Sequence, residues 1–414
     1  MSTPKNKDRD YTFEKVPLSA RKGFFSMLFV MLGFTIFSSS MSVGAKLGTS
    51  LDLKTFCLSV LLGGIILAAY TGMLAYIGSL TGLSFDLLAR RAFGRTGSLL
   101  PSAIIAVTQI GWFGVGVAMF GTAAADVIGC NRWILIVFAG VCMTSSAYFG
   151  IKGMEIVSYV SVPMIVVLGF YTVAKALNEG GGLYGVFGDR INQLTLVEGI
   201  GLVVGSFISG GTTTPNFARF SKGNRKAVAA TVIAFFIGNS MMFIFGAVGG
   251  AFTGKEDIFY VMIAQGLTVQ ALLVLGANIW TTNDNTLYSC ALGLGNITRR
   301  PKRPLVIVAG VVGTLASVWV YDNFLHWLSV LNIMLPPIGA VIMIDYFFNR
   351  KRYLADEEKP DSSINFTSAF SLAAGTAAGV FVNKGIASLN SLAATCVCYL
   401  LIFCFTSNRR RGTI

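Results

Sequence analysis

Residues 271 to 292 read Ala-Leu-Leu-Val-Leu-Gly-Ala-Asn-Ile-Trp-Thr-Thr-Asn-Asp-Asn-Thr-Leu-Tyr-Ser-Cys-Ala-Leu. No turn signal separates the flanking apolar residues from the centre. The stretch therefore predicts one long hydrophobic helix enclosing Asn278-Ile-Trp-Thr-Thr-Asn-Asp-Asn285. At about 100° per residue, Asn278, Thr281, Thr282 and Asn285 share one stripe, with spacing i, i+3, i+4, i+7. Asp284 sits at the edge of that stripe, and Asn283 lies about 140° around the helix from Asn278. An acid in mid-helix costs several kcal/mol in lipid, which makes Asp284 a functional-site candidate.

The rest of the chain supplies the lipid. Of 414 residues, 54% are hydrophobic and 12% charged, and mean hydropathy is +0.69. Apolar runs of bilayer-spanning length recur throughout, which predicts an all-α, polytopic membrane protein. Twelve transmembrane helices are expected, at 24–43, 55–80, 99–128, 131–149, 157–176, 196–214, 227–252, 267–295, 305–320, 325–348, 364–382 and 387–406. Ser84 to Arg95 is too charged to span and reads as a surface or re-entrant helix, and Ile258 to Gln265 reads as a second short amphipathic piece.

Charge then sets orientation. With the amino terminus in the cytoplasm, 25 of the 32 Lys and Arg fall on the cytoplasmic side and 7 on the other. That bias predicts both termini inside, and it accounts for the +13 net charge without nucleic acid. The seven cysteines have no metal-binding spacing and read as small membrane-helix residues. His326, beside Trp327, reads as an interfacial belt residue.

An internal repeat organises the helices. Adding 172 to the starts of spans one to five lands within a few residues of the starts of spans six to ten. Five is odd, so the second set enters from the opposite face, which is an inverted repeat. The expected organisation is a tail over 1–22, a five-helix repeat over 23–178, an inverted copy over 195–349, two extra helices over 362–406 and a tail over 407–414. A cleaved signal peptide in place of the first span would destroy this match.

The first helix of each half is interrupted by small and hydroxyl residues, Gly33-Phe-Thr-Ile-Phe-Ser-Ser-Ser40 and Gly205-Ser-Phe-Ile-Ser-Gly-Gly-Thr212, with Gly33 mapping onto Gly205. Discontinuous helices 1 and 6 are expected, against the alternative of tight small-residue packing. Pro163 and Leu335-Pro-Pro337 read as a pair of hinges. The offset also maps Gln109 onto Thr281. Gln109 and Trp112 share a face of the third helix and offer a paired donor and acceptor beside a flat ring, which suits a planar heterocycle; Phe207 can supply the opposite ring. The alternative is a helix-packing hydrogen bond beside a core aromatic.

Oxygens of Thr281 and Thr282, with carbonyls of an unwound first helix, are hard ligands that suit an alkali cation, sodium above others. Protons through Asp284 remain open, as does simple back-bonding of the threonines to the preceding turn.

The runs Gly33–Ser40, Thr108-Gln-Ile-Gly-Trp-Phe-Gly-Val-Gly-Val-Ala-Met-Phe120, Val204-Gly-Ser-Phe-Ile-Ser209 and Asn278–Asn285 together closely resemble the nucleobase cation symporter family, over about Pro17 to Arg352. The resemblance implies a leucine-transporter-like fold and sodium-coupled uptake of cytosine across the bacterial inner membrane, with sodium as coupling ion and no other cofactor. It implies a sodium site from backbone oxygens of Gly33, Ile36 and Asn278 with the hydroxyls of Thr281 and Thr282. It implies a base site from Gln109, Trp112, Ser206 and Phe207, with Asn283 or Asp284 nearby. Competing readings are a carrier of another planar heterocycle, such as a purine, allantoin or a hydantoin, and an ion channel. An enzyme is not expected, since no HExxH, GxSxG or metal cluster occurs. Oligomeric state is not readable.

Overall fold

The computed structural model describes residues 11–149, 151–188, 192–355 and 363–411. Among these, helices dominate and no strand is longer than an isolated bridge. In chain order the spans are α1, in two halves Phe24–Thr35 and Ser38–Ser50; α2, Leu53–Thr81; α3, Leu99–Ile128; α4, Arg132–Ala147; α5, Ile151–Glu179; and α6, Leu196–Thr213. They continue with α7, Asn224–Thr253; α8, 268–298; α9, Lys302–Asp322; α10, Phe324–Phe348; α11, Phe366–Phe381; and α12, Ala387–Arg411. Eight described helices are long and apolar enough to cross a bilayer, and nine if the bent halves of α1 count as one. The shorter apolar α4 and α11 and the polar α8 fill the remaining places, consistent with twelve.

Local chemistry sets the ends. Asp52 caps α2 by accepting from the Thr55 amide at 2.6 Å, and Thr195 with Glu198 forms a reciprocal capping box on α6. Exposed apolar residues, such as Val137, Phe138 and Val141 on α4 and Val308, Val311 and Leu315 on α9, form outward faces suited to lipid tails.

The packing obeys the repeat. The second half of α1 packs on α7 as α6 packs on α2, the first half of α1 on α5 as α6 on α10, and α3 on α9 as α8 on α4, while α3 pairs with α8 and α4 with α9. Exchanging each helix for the one five places on maps this set of contacts onto itself. The α4–α9 crossing shows it residue by residue. A Cβ on Gly140 would lie 2.3 Å from Thr314 Oγ1, and one on Gly310 would lie 2.1 Å from Thr144 Oγ1. Between α1 and α7, glycines replace side chains altogether: a Cβ on Gly44 would lie 2.3 Å from the Phe243 carbonyl, and one on Gly246 would lie 1.8 Å from that of Met41.

One expectation about breaks needs correction. In α6 the helix runs through Gly205–Thr212, and its interruption comes at Thr214, where Pro215 starts the short helix Pro215–Ala218. Proline offers no N–H to continue the ladder, whereas the glycines at 205, 210 and 211 give neighbouring side chains room. Pro163, Pro336 and Pro337 lie inside their helices, the position from which a proline can act as a hinge. Elsewhere, π-helical turns widen α7 at Ile233–Gly238 and α8 at Ala271–Leu275, the latter immediately before the polar stripe.

A buried polar network closes the end of the molecule that holds residues 11–22. Arg219 donates to the Tyr11 carbonyl at 2.9 Å and to the Tyr288 hydroxyl at 3.1 Å. Asp86, on the charged helix Phe85–Phe93 expected from its sequence, accepts from Ser102 Oγ at 2.6 Å. Burial pushes the Asp86 carboxyl up to about 7, against the opposing pull of Ser102 and Arg219. The folded chain thus holds this proton more tightly than the unfolded one. The stabilisation is fully present below the ordinary carboxylate range and is lost as pH rises through about 7. The free energy of unfolding in detergent is expected to fall by up to about 1.4 kcal/mol per pH unit as pH rises from about 4 to about 7, and Asp86→Asn to flatten that slope.

Candidate functional site

The site begins where α1 breaks. Ile36 (φ −77°, ψ 87°) and Phe37 (φ −129°, ψ 133°) leave helical geometry, and the two halves diverge by 51°. Helix termini leave backbone groups unpaired, so the break exposes carbonyls of the first half and N–H groups of the second in the protein interior. Asn278 of α8 bridges the gap. Its amide Nδ2 donates to the Ile36 carbonyl at 2.5 Å, and its Oδ1 accepts from Ser38 Oγ at 2.8 Å. One turn on, Thr282 Oγ1 lies 3.5 Å from the Gly33 carbonyl and 3.4 Å from that of Asn278. A single hydroxyl proton cannot serve both, and each distance is long for a hydrogen bond. Oxygens about 3.4 Å apart are what an octahedral hard cation with ligands near 2.4 Å gathers along its edges. Thr281 Oγ1 donates to the Ala277 carbonyl at 3.0 Å and lies 2.7 Å from Ser161 Oγ of α5. The stripe thus faces the break in α1 on one flank and α5 on the other.

Beside this cluster is a small cavity between α1, α3, α6 and α8. Gln109, Trp112, Ser206, Phe207 and Thr282 line it, with Phe34, Phe37, Ser209, Gly210 and Thr286. Its volume is about 10 Å³, near that of one water probe, so a ring the size of a base enters only if the aromatic walls part. Those walls are braced. Phe207 sits near-perpendicular to Phe34 (5.3 Å between centroids, 78°) and Phe235 (5.5 Å, 85°), and Trp112 to Phe37 (5.9 Å, 68°) and Phe324 (5.9 Å, 79°). Gly210 makes room for the first: a Cβ there would lie 2.5 Å from the Phe207 ring.

Gln109 is 1% exposed, and neither its amide oxygen nor its nitrogen has a hydrogen-bond partner; the Trp112 indole N–H has none either. Leaving a buried polar atom unpaired costs about 1–3 kcal/mol, which a structural packing residue does not sustain without return. The pattern fits a ligand edge that supplies one donor and one acceptor.

Two expected site residues are elsewhere. Asn283 donates to the Phe113 carbonyl of α3 at 3.3 Å and to Met143 Sδ of α4 at 3.1 Å, and Asp284 accepts from Ser146 Oγ of α4 at 2.6 Å. Neither lines the cavity, because each 100° step from Thr282 carries the side chain further from α1 and α6. Asn278 was expected through its backbone oxygen alone, yet its side chain also bridges the break. The residues that sequence reasoning missed are Phe34, Phe37, Ser209, Thr286, Ser38 and Ser161. Thr286 continues the stripe one turn past Thr282, and Ser209 follows Ser206 by three, so both were within reach of the periodicity.

The family model for permeases for cytosine/purines, uracil, thiamine, allantoin matches residues 15–401. This chain belongs to that permease family. It is 45% identical to the cytosine permease of Escherichia coli K12 over 403 residues, 96% of this chain and 95% of that one. It is 26% identical to the hydantoin permease of Microbacterium maritypicum over 309 residues, 66% of this chain and 62% of that one. Among solved structures, the permease superposes on Mhp1, a nucleobase-cation-symport-1 family transporter in a closed conformation with bromovinylhydantoin bound. The TM-score is 0.82 at 19% identity, covering 98% and 97% of the two chains. It also matches a Na+-coupled sialic acid symporter, at TM-score 0.71 and 15% identity over 95% and 93%. These likenesses show the fold, an all-helical membrane-transporter architecture with which the expected repeat and helix count are consistent. The permease is a multi-pass membrane transport protein and not an enzyme.

Proposed function

We propose that this permease carries cytosine into the cell together with sodium, by alternating access across the bacterial inner membrane with both termini in the cytoplasm. One observation carries the substrate reading: the Gln109 amide, buried with both atoms unpaired, lines a cavity walled by Trp112 and Phe207. An amide pairs bidentately with a base edge that presents a donor next to an acceptor, as the 4-amino group and N3 of cytosine do. The 45% identity to a named cytosine permease supports the same choice. A purine would need the walls to part further than a single-ring base does.

Sodium suits the oxygens of Gly33, Ile36, Asn278 and Thr282, which are neutral and free of thiolate or imidazole; Thr281, whose hydroxyl here meets Ser161 of α5, joins them only if that side chain turns toward α1. Thr282 belongs to both the cluster and the cavity lining. Ion and base can therefore favour the same arrangement of α1 against α8, which is all that coupling requires.

The test is uptake of labelled cytosine into proteoliposomes with and without an inward sodium gradient, challenged with uracil and adenine. Uptake should be gradient-driven and displaced by unlabelled cytosine far better than by the other two. Equal competition by adenine would sink the cytosine assignment. Uptake indifferent to sodium but driven by a proton gradient would sink the ion assignment alone.

A further inference from the structure

The Asp284 side chain has no part in the cavity, and its contacts lie on the far side of α8. The Ser146 hydroxyl of α4 donates to Asp284 Oδ1 at 2.6 Å, and the Trp280 indole N–H donates to the same Ser146 oxygen at 2.6 Å. Trp280 and Asp284 are one turn apart, so one α4 side chain is held between two from α8. Asn283, on the same side, is tied to the Phe113 carbonyl of α3 and to Met143 of α4. On the helical wheel this group is centred about 155° from the Asn278–Asn285 stripe.

Directional bonds on that side fix what apolar contact leaves loose, the rotation of α8 about its own axis. A hydroxyl about 5 Å from a helix axis moves about 1 Å for each 10° of rotation. Binding constellations tolerate about half that. The oxygens of Thr282, Gly33 and Asn278 are spaced within that narrow range.

We propose that Ser146, Asp284 and Trp280 form a rotational clamp on α8 that keeps Thr281 and Thr282 in register with the broken α1. Ser146 and Asp284 are then positioning residues for the ion site and not contacts of the base. The proposal rests on the sodium reading for its functional consequence, but its structural part is independent. It requires only a hydrogen-bond acceptor at Asp284 Oδ1, which an asparagine supplies.

The experiment measures cytosine binding to the purified full-length chain over a sodium titration. Ser146→Ala and Asp284→Ala should each raise half-saturating sodium about fivefold or more, while cytosine affinity at saturating sodium stays within about twofold of wild type. Asp284→Asn should stay within about twofold throughout, and the double alanine variant should be no worse than Ser146→Ala alone, since that change already removes the bonds to both Asp284 and Trp280. Unchanged half-saturation in Ser146→Ala, or an Asp284→Asn variant as impaired as Asp284→Ala, overturns the clamp. If Asp284→Ala does not fold, Ser146→Ala decides. If wild-type binding ignores sodium, the ion reading fails, and hydrogen exchange of residues 276–290 without ligand decides the clamp. Faster exchange in Ser146→Ala than in wild type and Asp284→Asn supports it; equal exchange in all three overturns it.

Discussion

Trp112→Ala is expected to abolish saturable cytosine uptake by a chain that still folds and inserts. Stacking of a base on an aromatic side chain is worth about 1–3 kcal/mol, which corresponds to affinity lower by about 5- to 150-fold. The variant also loses packing, because Trp112 is 4% exposed and touches Phe37 and Phe324. Removing a buried aromatic costs about 3–5 kcal/mol of stability, so binding must be read on the folded fraction, for instance by size-exclusion followed by equilibrium binding. Trp112→Phe keeps a ring and should fall between wild type and alanine. Normal uptake by well-folded Trp112→Ala would make this residue a core aromatic, and the two-ring account of the cavity would go with it.

The second large effect is expected from Thr282→Ala, which should weaken sodium and cytosine together. Thr282 supplies an oxygen to the cluster with Gly33 and Asn278 and also lines the cavity. Binding free energies are reciprocal: whatever factor sodium contributes to cytosine affinity, cytosine contributes to sodium affinity. With a coupling of about 1–3 kcal/mol, cytosine affinity at fixed sodium should drop by roughly 5- to 150-fold and lose most of its sodium dependence. Isothermal titration at several sodium concentrations measures both. Cytosine affinity that is unchanged and still sodium-dependent would remove Thr282 from the ion site.

The helices and the repeat could be read before any coordinates because a bilayer leaves few options: long apolar runs must be helices, and an odd repeat must invert. Gln109, Trp112 and Phe207 could also be drawn together. Gln109 and Trp112 share one face of α3 and Phe207 offers a second ring, whereas Ser206 came only with the family resemblance. Asn283 and Asp284 were harder. Their residue types suit a binding site, but their azimuth on α8 points at α3 and α4, and only the helical wheel hinted at it. The α6 interruption was displaced because glycine serves two ends. At Gly33 it lies three residues ahead of a true break, whereas at Gly205 it admits the Leu328 carbonyl and Asn332, and composition does not distinguish the two. Ser38 stands in the hydroxyl run Ser38–Ser40 and Ser161 three residues after Ser158, but nothing in the sequence names Asn278 and Thr281 as their partners.

The cavity of about 10 Å³ also bears on voltage. Phe34, Phe37, Trp112 and Phe207 crowd around it in a narrow layer of low polarity, and part of an electric field applied across the bilayer drops over that layer. An elementary charge crossing such a layer is worth up to about 2.3 kcal/mol per 100 mV. Transport of an ion past Thr282 is therefore expected to respond to membrane potential, which uptake at imposed potentials measures.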